Sequence, residues 1–245
     1  MCPASKAKIS MVSQLTAKAS SSKERKFAPA TPDTLRNISR SEFVFASLRD
    51  AIWEGRFAPG ERIAEEEIAQ SLGVSRTPVR DALRRLQERG MLVVGASRSL
   101  VVAELSKQQV LELYAMREIL EGSAARFAAQ HASEAEIGIL HRVLDEFDKH
   151  ADDARVLISL NRRFHRAVCE AAHNRYLIAT LDGMHDALAL LHSNTFRLPN
   201  RRTESDAEHR RIVRAIVRRN ADEAEQAARN HVRAAQRTRF SALAD

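Results

Sequence analysis

Asn161 and His165 stand four residues apart in a segment of helical period. Both side chains therefore project from one helix face, a spacing that suits two ligands of one ion. His209 and His231 lie eleven residues either side of Asn220, where a turn between two helices is expected. At about 1.5 Å per residue the chain climbs roughly 15 Å and returns by the same amount, so in an antiparallel pair the two imidazoles arrive at similar height. Three imidazoles and an amide oxygen would hold a divalent ion and leave positions open for water or another ligand. Zn²⁺, Ni²⁺, Mn²⁺ and Fe²⁺ all suit such a set. The plain alternative is three unrelated core histidines.

The other histidines carry less. All nine lie beyond residue 130. His131, His141 and His150 fall near helix ends or among charges and read as solvated residues or partners of a helix C-terminus. His185 and His192 can line a helix-bundle face. Cys169, one turn after His165, reads as a small core residue. Cys2 is far away in a different context, so the two cysteines offer neither a disulfide framework nor a zinc knuckle.

A second chemistry is focused between Arg76 and Arg98. Six arginines (76, 80, 84, 85, 89 and 98) stand there against Asp81 and Glu88, while residues 61 to 67 hold four glutamates and only Arg62. Ala69, Gly73 and Val79 have the spacing of a helix-turn-helix: a small residue at the helix contact, a residue free to turn left-handed, and a buried apolar residue on the second helix. That second helix begins Ser75-Arg76-Thr77-Pro78-Val79-Arg80, placing hydroxyls, free amides and two arginines at the end that enters a major groove. Arg76 and Arg80, one turn apart, can address adjacent bases or a base and a phosphate. The alternative is a solvated face paired with Asp81 and Glu88.

The elements that must position these residues are mostly helical. Eight glycines and six prolines in 245 residues, with 5% aromatics, argue against a turn-rich β fold. Residues 1–38 read as a disordered basic arm, and residues 1–40 carry six of the seven net positive charges. Ser41 is expected to cap a helix running to Glu54. A short helix over Glu65–Ser71 is broken by Gly73, and a second helix ends at Gly90. Two short β runs, Met91–Val94 and Leu100–Ala103, make a hairpin with Arg98 at its tip, a wing whose arginine would reach phosphate or the minor groove.

Beyond Ser106, six helices are expected: to about His131, Ser133–His150, Asp153–Ala172, Arg175–Thr195, Thr203–Arg219 and Ala221–Leu243. Short loops make an antiparallel six-helix bundle. The fold class is mainly α, with a winged helix-turn-helix over 39–105 and the bundle over 106–245. No apolar run approaches a membrane span and the N-terminus makes a poor signal peptide, so a cytoplasmic protein without a membrane partner is expected.

The run "LRDAIWEGRFAPGERIAEEEIAQSLGVSRTPVRDALRRLQERGML" closely resembles the winged-helix domain of the GntR family of bacterial transcription regulators. The resemblance implies that Arg49, Arg76, Thr77, Pro78, Arg80 and Arg98 contact DNA. Two departures matter: Glu66 stands where many members carry a basic residue, and Ser99 replaces the usual wing glycine. Through "REILEGSAARFAA", "NRRFHRAVCEAAHNRYL" and "EHRRIVRAI", the remainder looks like an FCD ligand-sensing domain of the FadR subfamily, and its six helices resemble the VanR-type group.

Many such domains hold a divalent metal with one Asp or Asn and three His, positions matched by Asn161, His165, His209 and His231. The usual effector is a small carboxylate paired with an arginine that matches Arg117, whose fork suits a carboxylate; a structural pair of Arg117 with Glu121 is the alternative. The expectation is a homodimeric, effector-responsive regulator of a pseudo-palindromic site on double-stranded DNA, and not an enzyme. Two other readings stand beside it: a dedicated metal sensor, and a metal-dependent hydrolase with a DNA-binding arm. The hydrolase would need a general base, and Glu170 and Glu208 read as ordinary surface residues.

Overall fold

The computed structural model describes residues 38–96, 98–150, 153–191, 195–198 and 200–241. Residues 1–37 of the expected arm, with Cys2, and also His192, lie outside the described residues. The chain divides into two compact units between Ala103 and Glu104.

In the first unit, helix α1 spans Arg40–Trp53, α2 Glu65–Leu72 and α3 Arg76–Glu88. Ser39, and not the expected Ser41, caps α1 by accepting from the Glu42 amide; the Ser41 hydroxyl donates to Asp81. An extended cap residue must precede the first helical one, and Ser41 already lies inside the helix. Phe45, Leu48 and Ile52 of α1 pack into one core with Val79, Ala82, Leu83 and Leu86 of α3, all buried. Gly73 takes φ +64° between α2 and α3 and lets the second helix depart at a new angle. Arg76 to Pro78 form the first turn of α3, where the missing proline N–H costs no helical bond.

Strands β1 (Leu92–Val94) and β2 (Leu100–Val102) pair antiparallel, with Val93 opposite Val101. The segment after Pro59 docks on the free edge of β2: Gly60 N donates to Val102 O at 2.8 Å and Ile63 N to Leu100 O at 2.9 Å. This added edge anchors the hairpin beside α2. Arg98 rather than Ser99 takes the left-handed conformation in the wing, at φ +58°.

The second unit contains α4 (Lys107–His131), α5 (Glu134–Lys149), α6 (Ala154–Ala171), α7 (Arg175–Ala189), α8 (Arg201–Val217) and α9 (Ala221–Ser241). Capping boxes at Ser106 with Gln109 and at Ser133 with Glu136 open α4 and α5. Helix α7 ends at Ala189, short of the expected Thr195. Its last turn tightens through Leu190 N to Ala187 O and Leu191 N to Leu188 O, and the next residues, His-Ser-Asn, are poor helix formers. Ala124, Ala125, Ala128 and Ala129 make a small-residue face on α4, and Gly122 is so close to α9 that a Cβ would meet Arg229 Cγ at 2.9 Å. Phe147, Leu157, Phe164, Leu181 and Ile212 fill the space between the other helices.

Because Gly73 sits in the left-handed region, Gly73→Val should destabilise the first unit by about 1–2 kcal/mol. Thermal unfolding of the full chain followed by circular dichroism should show earlier loss of helix; an unchanged curve would count against the turn's need for glycine.

Candidate metal centre and nucleic-acid interface

Each of His165, His209 and His231 occupies a core position in its helix's apolar period. His209 follows Ser205 and precedes Ile212, Val213 and Ile216; His231 follows Ala224 and Ala228; His165 adjoins Phe164 and precedes Val168. Their exposures are 8%, 0% and 3% for His165, His209 and His231. A polar ring in such a place costs free energy unless it is partnered. Helices α6, α8 and α9 bring one candidate ligand atom from each ring within 4.8 Å of one another.

Two carboxylates turn the rings. Glu121 of α4 accepts from His165 Nδ1 at 2.9 Å, and Glu208 of α8 accepts from His231 Nδ1 at 2.7 Å. A neutral imidazole that donates through Nδ1 keeps its lone pair on Nε2. With both rings in that form the two Nε2 lone pairs face each other at 3.3 Å, an arrangement that a bound cation or a shared proton would satisfy. His209 lies between Phe164, stacked at 4.0 Å, and Phe147, edge-on at 5.5 Å. Neither of its nitrogens has a hydrogen-bond partner among the described residues. Facing lone pairs, an orphaned buried imidazole and carboxylates behind the ligands together fit a metal ion of the nitrogen-preferring kind.

Asn161 is half-buried one turn before His165, and its side chain makes no hydrogen bond to another described residue. Arg117 is buried and donates through Nε to Glu121 at 2.8 Å, with its guanidinium 4.8 Å from the Tyr114 ring. The structural pair held open in the sequence is therefore present. Glu208 is not the ordinary surface residue expected: it is gripped by both terminal nitrogens of Arg201, at 3.1 and 3.0 Å. Glu170 does face outward, paired with Arg166. Cys169 is a buried thiol whose pKa is pushed up by burial and the nearby Glu121.

Burial opposes the charge of Glu121, yet Arg117 and His165 carry its pKa well below the ordinary carboxylate value. Glu208 shifts in the same direction, with burial outweighed by hydrogen bonds from His231 and Arg201. Burial pushes His209 down, reinforced by His231, His165 and Arg201, and pushes His231 to about 4 against the pull of Glu208. His209 and His231 are therefore neutral at pH 7, the form that ligates.

Sequence reasoning missed Glu121, Glu208, Arg201 and His185 as parts of this centre. His185 of α7 sits with its ring 6.5 Å from that of His165, its Nε2 buried and without a partner. Arg201 and Glu208 are seven apart, two helical turns, which is a signal the sequence does contain. The reach of Glu121 to His165, 44 residues away, leaves no local trace. Of the remaining histidines, His131 packs on Phe127, His150 Nδ1 meets Glu146 O at 3.0 Å, and exposed His141 has no part in the cluster. A larger hollow lined by Phe127, His131, His173 and Tyr176 shares no residue with the histidine centre.

In the first unit, Arg76 and Arg80 lie exposed along the first turns of α3, joined there by Ser75, Thr77 and Pro78. They are not paired with Asp81 and Glu88, which hold Arg84 instead. Arg76 Nη2 donates to Glu66 at 2.6 Å and Arg80 Nε to Glu65 at 2.9 Å, both on α2. Arg49 pairs with its neighbour Asp50 on α1. Arg85 and Arg89 lie over the Phe45 ring at 4.0 and 5.3 Å and belong to the packing of α1 on α3. Arg98 stands exposed at the wing and forms no ion pair among the described residues.

The geometry is that of a winged helix-turn-helix followed by a helical unit, and comparison with known proteins agrees. Residues 40–102 match the gntR family of bacterial regulatory proteins and residues 112–234 match the FCD domain. The chain belongs to the GntR family and carries an FCD domain; it is a DNA-binding transcription regulator and not an enzyme. It is 32% identical over 185 residues to the HTH-type transcriptional regulator YdhC of Bacillus subtilis (strain 168), covering 74% of this chain and 83% of that one. It is 28% identical over 217 residues to the Glc operon transcriptional activator of Escherichia coli (strain K12), covering 78% and 85%. The solved structure of E. coli McbR/YncC has a TM-score of 0.77 at 20% identity, over 84% of this chain and 99% of that one, a likeness of fold. Membership in a family of regulators sets the hydrolase reading aside. No helix among the described residues is long and apolar enough to cross a membrane.

Burial holds His231 and His185 to about 4, below the ordinary 6.5. Between those values the unfolded chain takes up protons that the folded chain refuses. The metal-free protein should therefore lose stability as pH falls from about 6.5 to about 4, by on the order of 3 kcal/mol for each such histidine, and that loss should level off below the lower value. Thermal melts in EDTA across this range check the slope, which should be shallower in His185→Gln; an equal slope would count against the burial of a neutral ring there.

Proposed function

We propose that the FCD unit holds one divalent metal ion through Asn161, His165, His209 and His231, and that a small organic acid bound there controls a homodimer on a pseudo-palindromic operator. The observation that carries the reading is the pairing of each orienting carboxylate with its own arginine: Glu121 with Arg117, and Glu208 with Arg201. With each carboxylate balanced by its arginine, a set of imidazoles in the neutral, ligating form would bring no net charge of its own. The uncharged Asn161 amide adds none. The ion, when bound, supplies an undiminished positive centre that favours an anion.

Arg117 commits its Nε to Glu121. Its terminal nitrogens remain the natural fork for the acid's carboxylate. Glu121 thereby ties the arginine that would receive the acid to the histidine that would hold the ion. An acid bound between them must favour one arrangement of the regulator over another, because equal affinity for both would shift nothing. On the DNA side, Arg80 and Arg76 are taken to enter the major groove with Ser75, Thr77 and Pro78 at the helix start, while Arg98 and Arg49 anchor backbone. One winged helix offers a small footprint, which supports two half-sites and a dimer.

His209→Ala should abolish metal retention and the response to acid together while operator affinity stays within a few-fold, because the DNA-reading unit has its own core. Metal analysis of equilibrated protein and fluorescence anisotropy on the operator measure both. Full metal occupancy in a His165→Ala, His209→Ala double variant would refute the ligand set. Arg117→Lys keeps a charge beside Glu121 and loses the fork, so metal should stay and acid affinity should fall at least ten-fold. Release of DNA by metal alone, with no acid in a metabolite panel shifting the melting temperature, would replace the acid-responsive reading with a metal sensor. Arg80→Ala should weaken operator binding by about 1–3 kcal/mol.

A further inference from the structure

We propose that Glu65 and Glu66 are specificity determinants of the helix-turn-helix: they aim the guanidinium groups of Arg80 and Arg76 at base edges and cancel their attraction for phosphate. The inference rests on the reading that α3 enters the major groove. Both pairs cross from α2 to α3, fifteen and ten residues apart in sequence, and both are solvent-exposed on the arginine side, at 68% for Arg80 and 55% for Arg76. Exposed ion pairs add little to stability, so holding the fold together does not account for two of them at the groove-facing end.

The atoms used are informative. Glu65 takes the Nε of Arg80 and leaves both terminal nitrogens free. Those two nitrogens are the fork that meets guanine O6 and N7. Glu66 takes Nη2 of Arg76 and leaves Nη1 and Nε, which can make a single directed contact. A guanidinium held in this way is biased away from swinging toward the nearest phosphate. Its charge is also locally neutralised, so few counterions are released when it approaches the DNA backbone. The pairs should therefore depress binding to arbitrary sequence more than binding to the operator, the difference that defines specificity.

The acidic turn of α2 also suits the positive end of a helix, a purely structural role. Salt dependence separates the two. An operator is first selected from a random duplex pool with the wild-type protein, and affinities for it and for a random duplex are then measured by anisotropy from 50 to 300 mM salt. In the Glu65→Gln, Glu66→Gln double variant, random-duplex affinity should rise about ten-fold near 100 mM salt. Its plot of log affinity against log salt should steepen by about 1 to 2, one phosphate contact for each freed arginine. Operator affinity should rise less, so the ratio of operator to random-duplex affinity should fall at least three-fold. An unchanged ratio and slope, with or without a lower melting temperature, would overturn the proposal. Arg80→Ala run in parallel distinguishes the failures: unchanged operator affinity there defeats the docking reading itself, whereas loss of affinity there with an unchanged ratio in the double variant defeats only the role of the glutamates.

Discussion

Three imidazoles are buried in one small volume of the helical unit, and the arrangement around them follows from the cost of putting them there. His165 and His231 are each bonded through Nδ1 to a carboxylate, and each carboxylate is in turn bonded to an arginine. None of these links is tolerable alone, since a lone buried carboxylate or guanidinium would be more costly still. Together they form two chains, Arg117–Glu121–His165 and Arg201–Glu208–His231, that begin on different helices and converge through their last members. His209 closes the group with no hydrogen-bond partner among the described residues, packed against the rings of Phe164 and Phe147. A bundle that wanted only stability would place apolar residues at all three positions.

The two chains join four of the six helices. Glu121 and Arg117 lie on α4, His165 on α6, Glu208 and Arg201 on α8, and His231 on α9. The two chains thereby tie several elements to the imidazole cluster. Such coupling needs a rigid surround, and the alanine face of α4 with Gly122 against Arg229 provides close helix contact.

The DNA-reading unit solves a different problem. Its arginines must be available to a polyanion without binding it indiscriminately. Arg84 and Arg85 are held by partners on α3 and α1, and Arg85 with Arg89 covers Phe45. Arg76 and Arg80 are held by the preceding helix of the motif. Net charge therefore says less about this protein than the placement of opposite charges within a few ångströms of each other.

Local chemistry made much of the fold legible. Gly73 and Pro78 mark the helix-turn-helix because each has backbone requirements that few other residues share, and Ser106 and Ser133 open helices because Gln109 and Glu136 complete their capping boxes. The meeting of His209 and His231 follows from equal distances to a turn, and the two rings stand 4.7 Å apart. Tertiary structure decided what depends on distant partners. Nothing near Glu121 announces that it holds His165, and Glu208, adjacent to a core histidine, points off the core face by helical period yet reaches His231 because α8 and α9 pack closely. The docking of Gly60–Ile63 on β2 and the clasp of Arg76 and Arg80 by Glu66 and Glu65 are of the same kind. Periodicity and capping act over a few residues and can be read along the chain; hydrogen bonds between helices depend on how those helices pack, and that is set only when the whole core closes.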